Sequence, residues 1–329
     1  MKVLLTHPPE FRRQYYGERA LGELQALADV TLHDGPDPLS PAALVRAAQG
    51  VDVIVADRMT AGPAEVFDRL PALRAFLRCA VDIRNIDVEA ASAAGVLVTQ
   101  AGPGFVKSTA EMALALVLDL ARGVARSTVA YQAGRPPEIR MGRQLSGSTI
   151  GLIGYGRIAR HLAPILTAIG MDVLVADPHV AVADSRFSQV ALDDLLARSD
   201  FVVCLAVATE ATENLMDASA FARMRPSAFF INVSRGNLVN EAALAAALAT
   251  GRIAGAALDV GRAPDQMPTP GLAGLPGVTA TPHVGGLTPP AIESQALDTV
   301  AQVAALVRGA VPAGTVNADH WTRRIRPEG

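Results

Sequence analysis

The chain has 329 residues, half of them hydrophobic and 4% aromatic, with 29 Lys and Arg against 32 Asp and Glu for a net charge of −3. That length accommodates two domains, each with its own core. The near-neutral balance, with no Lys/Arg run, argues against nucleic acid or an anionic membrane as partner. No apolar run reaches the roughly 18 residues of a membrane span. The opening Met1-Lys-Val-Leu-Leu-Thr-His-Pro-Pro9 lacks the regions of a signal peptide. Cys79 and Cys204 lie far apart in apolar surroundings, as buried thiols of a reducing compartment do. The expectation is a soluble cytoplasmic protein with no metal site.

Short β-like runs alternate with helical stretches, the pattern of parallel α/β sheets. In the first third, strands are expected at 2–6, 29–32, 52–56, 75–79 and 96–99, and helices at 19–27, 41–49, 63–70 and 88–94. Arg12, Arg13, Tyr15 and Tyr16 follow the first strand and read as a solvated loop, the rim of a cleft being the other reading. Gln100-Ala-Gly-Pro-Gly104 is a turn cluster suited to a hinge, a long helix follows at 108–122, and residues 132–147, rich in Gly, Arg and Pro, read as a loop.

The densest signal comes next. The apolar run Thr149-Ile-Gly-Leu-Ile153 reads as a buried strand and leads into Gly154-Tyr-Gly156-Arg-Ile-Ala159. A helix is expected over 157–169 with Gly170 as its stop, and a second apolar run, 171–176, ends at Asp177, 21 residues after Gly156. Strand, tight glycine turn, helix, strand and acid form the dinucleotide-binding fingerprint in its required context. Gly154 and Gly156 let the backbone approach a pyrophosphate, and the N–H groups of Arg157 and Ile158 at the helix start face the anion. A carboxylate at Asp177 accepts hydrogen bonds from ribose hydroxyls and repels a 2′-phosphate. With no Arg in Asp177-Pro-His-Val-Ala181, NAD is expected over NADP.

Further strands are expected at 201–206, 228–233, 254–259 and 278–281. The Ala-rich helix 241–249 lies between them, with Asn240 as N-cap and Gly251 as stop, and a final helix runs over 290–307. Three clusters follow three of these strands: Asn232-Val-Ser-Arg235, Leu258-Asp-Val260 and Thr281-Pro-His-Val-Gly-Gly286. An Arg, an acid and a His beside a nicotinamide suit reduction of a keto acid. The guanidinium fork holds a carboxylate or polarises a carbonyl. The imidazole exchanges the hydroxyl proton near neutral pH.

These motifs, with Asn85-Ile-Asp-Val-Glu89 and Ser108-Thr-Ala-Glu111, resemble the D-isomer-specific 2-hydroxyacid dehydrogenases over nearly the whole chain. The resemblance implies two Rossmann-like α/β domains with parallel sheets, the nucleotide domain inserted into the substrate domain. The expected segments are 1–103 for the substrate domain, 104–288 for the NAD-binding domain, and 289–329 returning to the substrate domain. It implies an NAD-dependent oxidoreductase acting on a small 2-hydroxy or 2-oxo acid. Arg235 would bind substrate, His283 would be the acid/base, Asp259 would contact the nicotinamide amide, and Thr109, Val233 and Gly285 would line the cofactor site. It also implies a homodimer formed through the helix from Ser108. A non-catalytic NAD(H)-sensing regulator on the same scaffold and a dehydrogenase of another small carbonyl compound are the competing readings. Retention of Arg235 and His283 counts against the sensor.

Two departures stand out. The family places a Glu 29 residues after its catalytic Arg, where this chain has Pro264, followed by Asp265 and Gln266. The carboxylate partner of His283 is therefore expected to be Asp265, with Gln266, or no side chain of this loop, as alternatives. The family also shows Gly-x-Gly where its backbone binds the substrate carboxylate. Here the loop reads Ala80-Val-Asp-Ile-Arg84. Val81 and Asp82 become the substrate-facing residues, and the charge of Asp82 has to be turned away or paired with Arg84 or Arg58.

Overall fold

The computed structural model describes residues 1–324. The chain forms two compact units, Met1–Gly104 with the chain from Pro289 onward, and Phe105–Thr288.

The first unit contains a parallel sheet of β1 (Lys2–Leu5), β2 (Asp29–Leu32), β3 (Val53–Ala56), β4 (Ala75–Arg78) and β5 (Leu97–Gln100) in the order β2-β1-β3-β4-β5. β3 and β4 are buried throughout, which is why they read as unbroken apolar runs rather than alternating ones. One face packs on Ala20 and Leu24 of the helix Glu18–Leu27 and on Ala296, Val300, Val303 and Leu306 of the helix Pro289–Val307. The other is covered by Leu44, Val45, Val66, Phe67 and Ala91 from three short helices. The last long helix thus completes a core begun at the first residue. The segment after β1 differs from the expected loop. Pro9 occupies the first position of the helix Pro9–Tyr15, where its missing N–H costs nothing. Tyr16 is buried, with its hydroxyl 3.0 Å from that of Thr299.

The second unit carries seven parallel strands: β6 (Thr149–Ile153), β7 (Asp172–Ala176), β8 (Ser188–Gln189), β9 (Phe201–Cys204), β10 (Phe229–Asn232), β11 (Gly255–Leu258) and β12 (Val278–Ala280). Their order is β12-β11-β10-β9-β6-β7-β8. Strand order reverses between β6 and β9, and ligands of open α/β sheets bind outside the carboxyl ends at such a point. The helices Val106–Arg122 and Arg157–Ala168 cover one face with Ala113, Val117, Ala159 and Leu162. Leu195, Phe221 and Leu244 cover the other. A further helix, Val124–Gln132, precedes the expected loop at 132–147 and buries none of its residues.

Candidate active site

The glycine turn is built as the fingerprint requires. Gly154 has φ +93°, and a Cβ there would lie 2.9 Å from backbone atoms of Ala206. A Cβ on Gly156 would meet nothing within 4 Å, so the space above the start of the 12-residue helix Arg157–Ala168 is open. That helix has no side-chain N-cap, which leaves the first-turn N–H groups of Arg157 and Ile158 for an anion. At the end of β7, Asp177 accepts N–H bonds from Tyr155 (2.7 Å), His179 (2.8 Å) and Val180 (3.0 Å). Desolvation alone would raise its pKa, but these three bonds outweigh it and hold the carboxyl below its ordinary range. The acid is therefore a fixed anion, and it also ties the glycine turn to the next strand.

β10, β11 and β12 are adjacent and in register, with Asn232 opposite Leu258 and Leu258 opposite Ala280. Arg235, Asp259 and His283 therefore follow the carboxyl ends of neighbouring strands, which run about 4.8 Å apart. Asn232 is buried. Its Nδ2 donates to the Arg235 carbonyl at 2.9 Å and its Oδ1 accepts from Ser234 N at 3.1 Å, so it shapes the turn that carries Arg235. The Arg235 Nη1 donates to the Ser234 carbonyl at 2.8 Å. Asp259, 2% exposed, organises the third turn. It accepts the Thr281 hydroxyl (2.6 Å) and the main-chain N–H groups of Val284 (2.9 Å) and Gly285 (2.8 Å). Within that turn His283 adopts φ +56°, a left-handed conformation that only a well-determined surrounding sustains in a residue with a side chain.

The Nδ1 atom of His283 lies 2.7 Å from the backbone carbonyl oxygen of Asp265. A carbonyl only accepts, so Nδ1 carries the proton and Nε2 is the atom left for proton exchange. The contact comes from the residue expected to partner His283, through its main chain. Asp265 and Gln266 are themselves left-handed, at φ 55° and 58°. Their loop is closed by Gly261 N to Gln266 O (2.8 Å) and Ala263 N to Met267 O (3.0 Å). A Cβ on Gly236 would collide with the carbonyl of Gly261, so this loop is pressed against the segment after Arg235.

Thr109 and Val233 are both nearly inaccessible, at the start of the helix Val106–Arg122 and just after β10. Gly285 is glycine for a stated reason: a Cβ there would lie 2.7 Å from Asp259 Oδ2. In the first unit, Val81 and Asp82 occupy the loop after β4. Asp82 accepts the Arg84 main-chain N–H (3.0 Å) and is clasped by its guanidinium, with Nη2 to Oδ2 at 2.5 Å. Its negative charge is thereby paired. The loop is anchored by Arg78, which is fully buried and donates to the carbonyls of Asp57 and Thr60 and to Asn85 Oδ1 (2.6 Å). Burial lowers its pKa to about 10.

The sequence reading gave no role to Arg78 or Asn232, although an Arg closing an apolar strand and an Asn before a turn were the available signals.

The fold agrees with that of solved structures of similar sequence. The model of the D-isomer specific 2-hydroxyacid dehydrogenase NAD binding domain matches residues 114–285. The chain belongs to the D-isomer specific 2-hydroxyacid dehydrogenase family. It is 35% identical over 280 residues to the (S)-sulfolactate dehydrogenase of Chromohalobacter salexigens, covering 84% of this chain and 90% of that protein. It is 34% identical over 290 residues to the D-3-phosphoglycerate dehydrogenase of Mycobacterium leprae, covering 87% of this chain. The chain spans only about half of that enzyme's length, 54%. Among solved structures, the TT0316 protein of Thermus thermophilus superposes with a TM-score of 0.84 at 30% identity, covering 96% of this chain and all of the other. The cofactor of this family's nucleotide domain is NAD, and the open space at Gly156, the uncapped helix start and the ionised Asp177 fit it.

Proposed function

We propose that the chain interconverts a small 2-hydroxy acid and its 2-oxo acid with NAD. The observation that carries this reading is the His283 ring, fastened through Nδ1 to the Asp265 carbonyl after β12, on the sheet edge where Arg235 follows β10 and Asp259 follows β11 between them. Bound NAD would supply or take the hydride. In this reading Arg235 engages the substrate carboxylate or carbonyl oxygen through its fork. His283 Nε2 gives a proton to the forming hydroxyl in reduction and takes it in oxidation. Asp259 holds the His283 turn with its main-chain bonds and has acceptor capacity left for the nicotinamide amide. Thr109, Val233 and Gly285 line the cofactor site, and Val81 and Asp82 belong to the substrate loop. Unit 1 then serves as the substrate domain.

The test is NADH oxidation across a panel of 2-oxo acids that includes those corresponding to sulfolactate and phosphoglycerate, with hydroxypyruvate, glyoxylate and pyruvate. Turnover of any of them supports an enzyme. Tight NADH binding with no turnover across the panel supports an NAD(H) sensor.

The proposal includes a homodimer. In the second unit, Ile139 and Met141 are fully exposed, and Val124, Val129 and Tyr131 are largely so. Beside them a groove of about 530 Å³ is lined by Leu114, Leu118, Ile169, Arg122 and Arg143. An exposed apolar patch with an adjacent apolar groove suits a second copy of the chain. Replacing Ile139 and Met141 with Asp should halve the mass seen by light scattering. It also includes a cytoplasmic location. No helix among the described residues is long and apolar enough to cross a membrane. Burial pushes both cysteine thiols up to about 12.

A further inference from the structure

We propose that Arg262 is a positioning residue for His283, clamping the loop whose main-chain carbonyl fixes the imidazole tautomer. The inference rests on the dehydrogenase reading for its kinetic consequence, but the tautomer itself is independent of that reading.

The hydrogen bond between the Asp265 carbonyl and His283 Nδ1, at 2.7 Å, joins two strained segments. His283 has φ +56°, and Asp265 and Gln266 have φ 55° and 58°. A loop with two consecutive non-glycine residues in the left-handed region relaxes unless its surroundings over-determine it. Three internal main-chain bonds close the loop but do not locate it. Arg262 does. Its Nη2 lies 2.8 Å from Glu213 Oε1, 2.8 Å from Asn214 Oδ1, 3.0 Å from the Asn237 carbonyl and 3.1 Å from the Val239 carbonyl. Its Nε lies 3.3 Å from the Val239 carbonyl, and its main-chain N–H donates to Glu241 Oε1 at 3.1 Å. The other Glu241 oxygen accepts the Thr269 hydroxyl at 2.9 Å, which fixes the far end of the loop.

The anchor points decide what the clamp does. Asn237 and Val239 belong to the segment that begins at Arg235, and Gly236 there is packed on Gly261. Arg262 therefore sets the position of the His283 partner loop relative to the segment carrying the substrate-binding Arg235. The hydrogen bond from Arg262 also holds the Glu213 carboxyl below its ordinary range. Arg262 itself acts only through the loop.

The chemical consequence is directional. With the carbonyl in place, the neutral ring is protonated at Nδ1 and offers a lone pair at Nε2, the form that accepts a proton from a hydroxy acid. A ring released from the carbonyl shifts toward the Nε2–H tautomer that predominates in water. That tautomer has no lone pair facing the substrate. Loss of Arg262 should therefore slow oxidation of the hydroxy acid more than it weakens cofactor binding.

The experiment compares Arg262→Ala, Arg262→Lys and the control Arg186→Ala, which removes an exposed ion pair with Asp184 in the same unit. Three quantities are read: the ¹⁵N shifts of the His283 ring at about pH 9, above the ordinary histidine range, without cofactor; NADH affinity by fluorescence; and kcat and KM for 2-hydroxy acid oxidation. The expected result for Arg262→Ala is a shift of His283 toward the Nε2–H form and a fall in kcat of about 10- to 100-fold, the scale of a small misplacement, with NADH affinity within about twofold. Arg262→Lys keeps the charge but not the planar fork, so it should fall between the unmodified protein and Arg262→Ala in both tautomer and kcat. Arg186→Ala should change neither. An unchanged His283 tautomer in Arg262→Ala overturns the proposal, whether or not kcat falls. If Arg262→Ala does not fold, Arg262→Lys decides by the same tautomer reading. Absence of turnover in the unmodified protein would overturn the dehydrogenase reading alone, since the ¹⁵N comparison still judges the clamp.

Discussion

The Asp259 carboxylate accepts the main-chain N–H of Gly285 at 2.8 Å through one oxygen while the other takes Val284 N–H at 2.9 Å. An amide at this position has one acceptor oxygen and turns a donor toward a donor. Asp259→Asn should leave one buried N–H without a partner, at a cost of about 1–3 kcal/mol. The bonds lost are charge-assisted, which favours the upper end. Amide hydrogen exchange reads the effect locally: protection of Val284 and Gly285 should fall roughly tenfold or more, together with the denaturant midpoint of the second unit. Unchanged protection would mean that the carboxylate does not hold the His283 turn.

Arg235 and His283 are expected to serve catalysis rather than folding. Both are only half-buried, at the ends of strands whose cores lie elsewhere. His283→Ala should lower turnover by about 10²–10⁴ and leave NADH binding nearly intact. Arg235→Lys should fail as well, because an ammonium is a point charge and does not reproduce the bidentate fork. If both variants keep close to full turnover of a 2-oxo acid, the site lies elsewhere.

What could be read from the sequence was local. The strands of both sheets are short apolar runs between turn residues, and the glycine turn carries its own steric reason in Gly154 at φ +93°. Residues at the ends of β10, β11 and β12 could be assembled because parallel strands put their carboxyl ends on one edge. What escaped depends on contacts between distant segments. The partner seen on His283 Nδ1 is a main-chain oxygen, and a backbone carbonyl has no residue-type signature. Arg262 reaches Glu213, 49 residues away, and Arg78 reaches the carbonyl of Asp57, 21 residues away. Neither partner is announced by spacing. The helix Pro9–Tyr15 stands where a solvated loop was expected, and the local signal for it is Pro9, which suits the first helical position.

Asp177 should determine the choice between NAD and NADP. Its pKa lies below the ordinary carboxylate range, so it is charged at any working pH, and a 2′-phosphate beside it would face an anion. Asp177→Ala should narrow the affinity gap between NADH and NADPH mainly by relieving that repulsion. The same change removes the acceptor for Tyr155, His179 and Val180, so some loss of NADH affinity is also expected. Binding isotherms for both nucleotides give the answer, and equal affinities in the unmodified protein would reject the role of Asp177.

His7 should make the first unit sensitive to mild acid. It is 2% exposed, its ring lies 5.1 Å from that of Tyr16, and its Nδ1 has no hydrogen-bond partner among the described residues. Burial lowers its pKa to about 4; Asp57 opposes this, and Arg78 and Arg12 add to it. Above about pH 6.5 the ring is neutral in both the folded and unfolded chain, and protonation contributes nothing. Between about 6.5 and 4 the unfolded chain takes up a proton that the folded chain refuses, so stability falls with pH. Below about 4 both forms are charged and the loss levels off. The full loss is on the order of 3 kcal/mol. The single tryptophan, Trp321, is buried in this unit with its Nε1 donating to the Arg74 carbonyl at 3.1 Å, so its fluorescence reports the unit's thermal transition. His7→Gln cannot charge, and its midpoint should fall less steeply between pH 6.5 and 4 than that of the unmodified chain. Parallel curves for the two proteins over that window would assign the acid sensitivity to other groups.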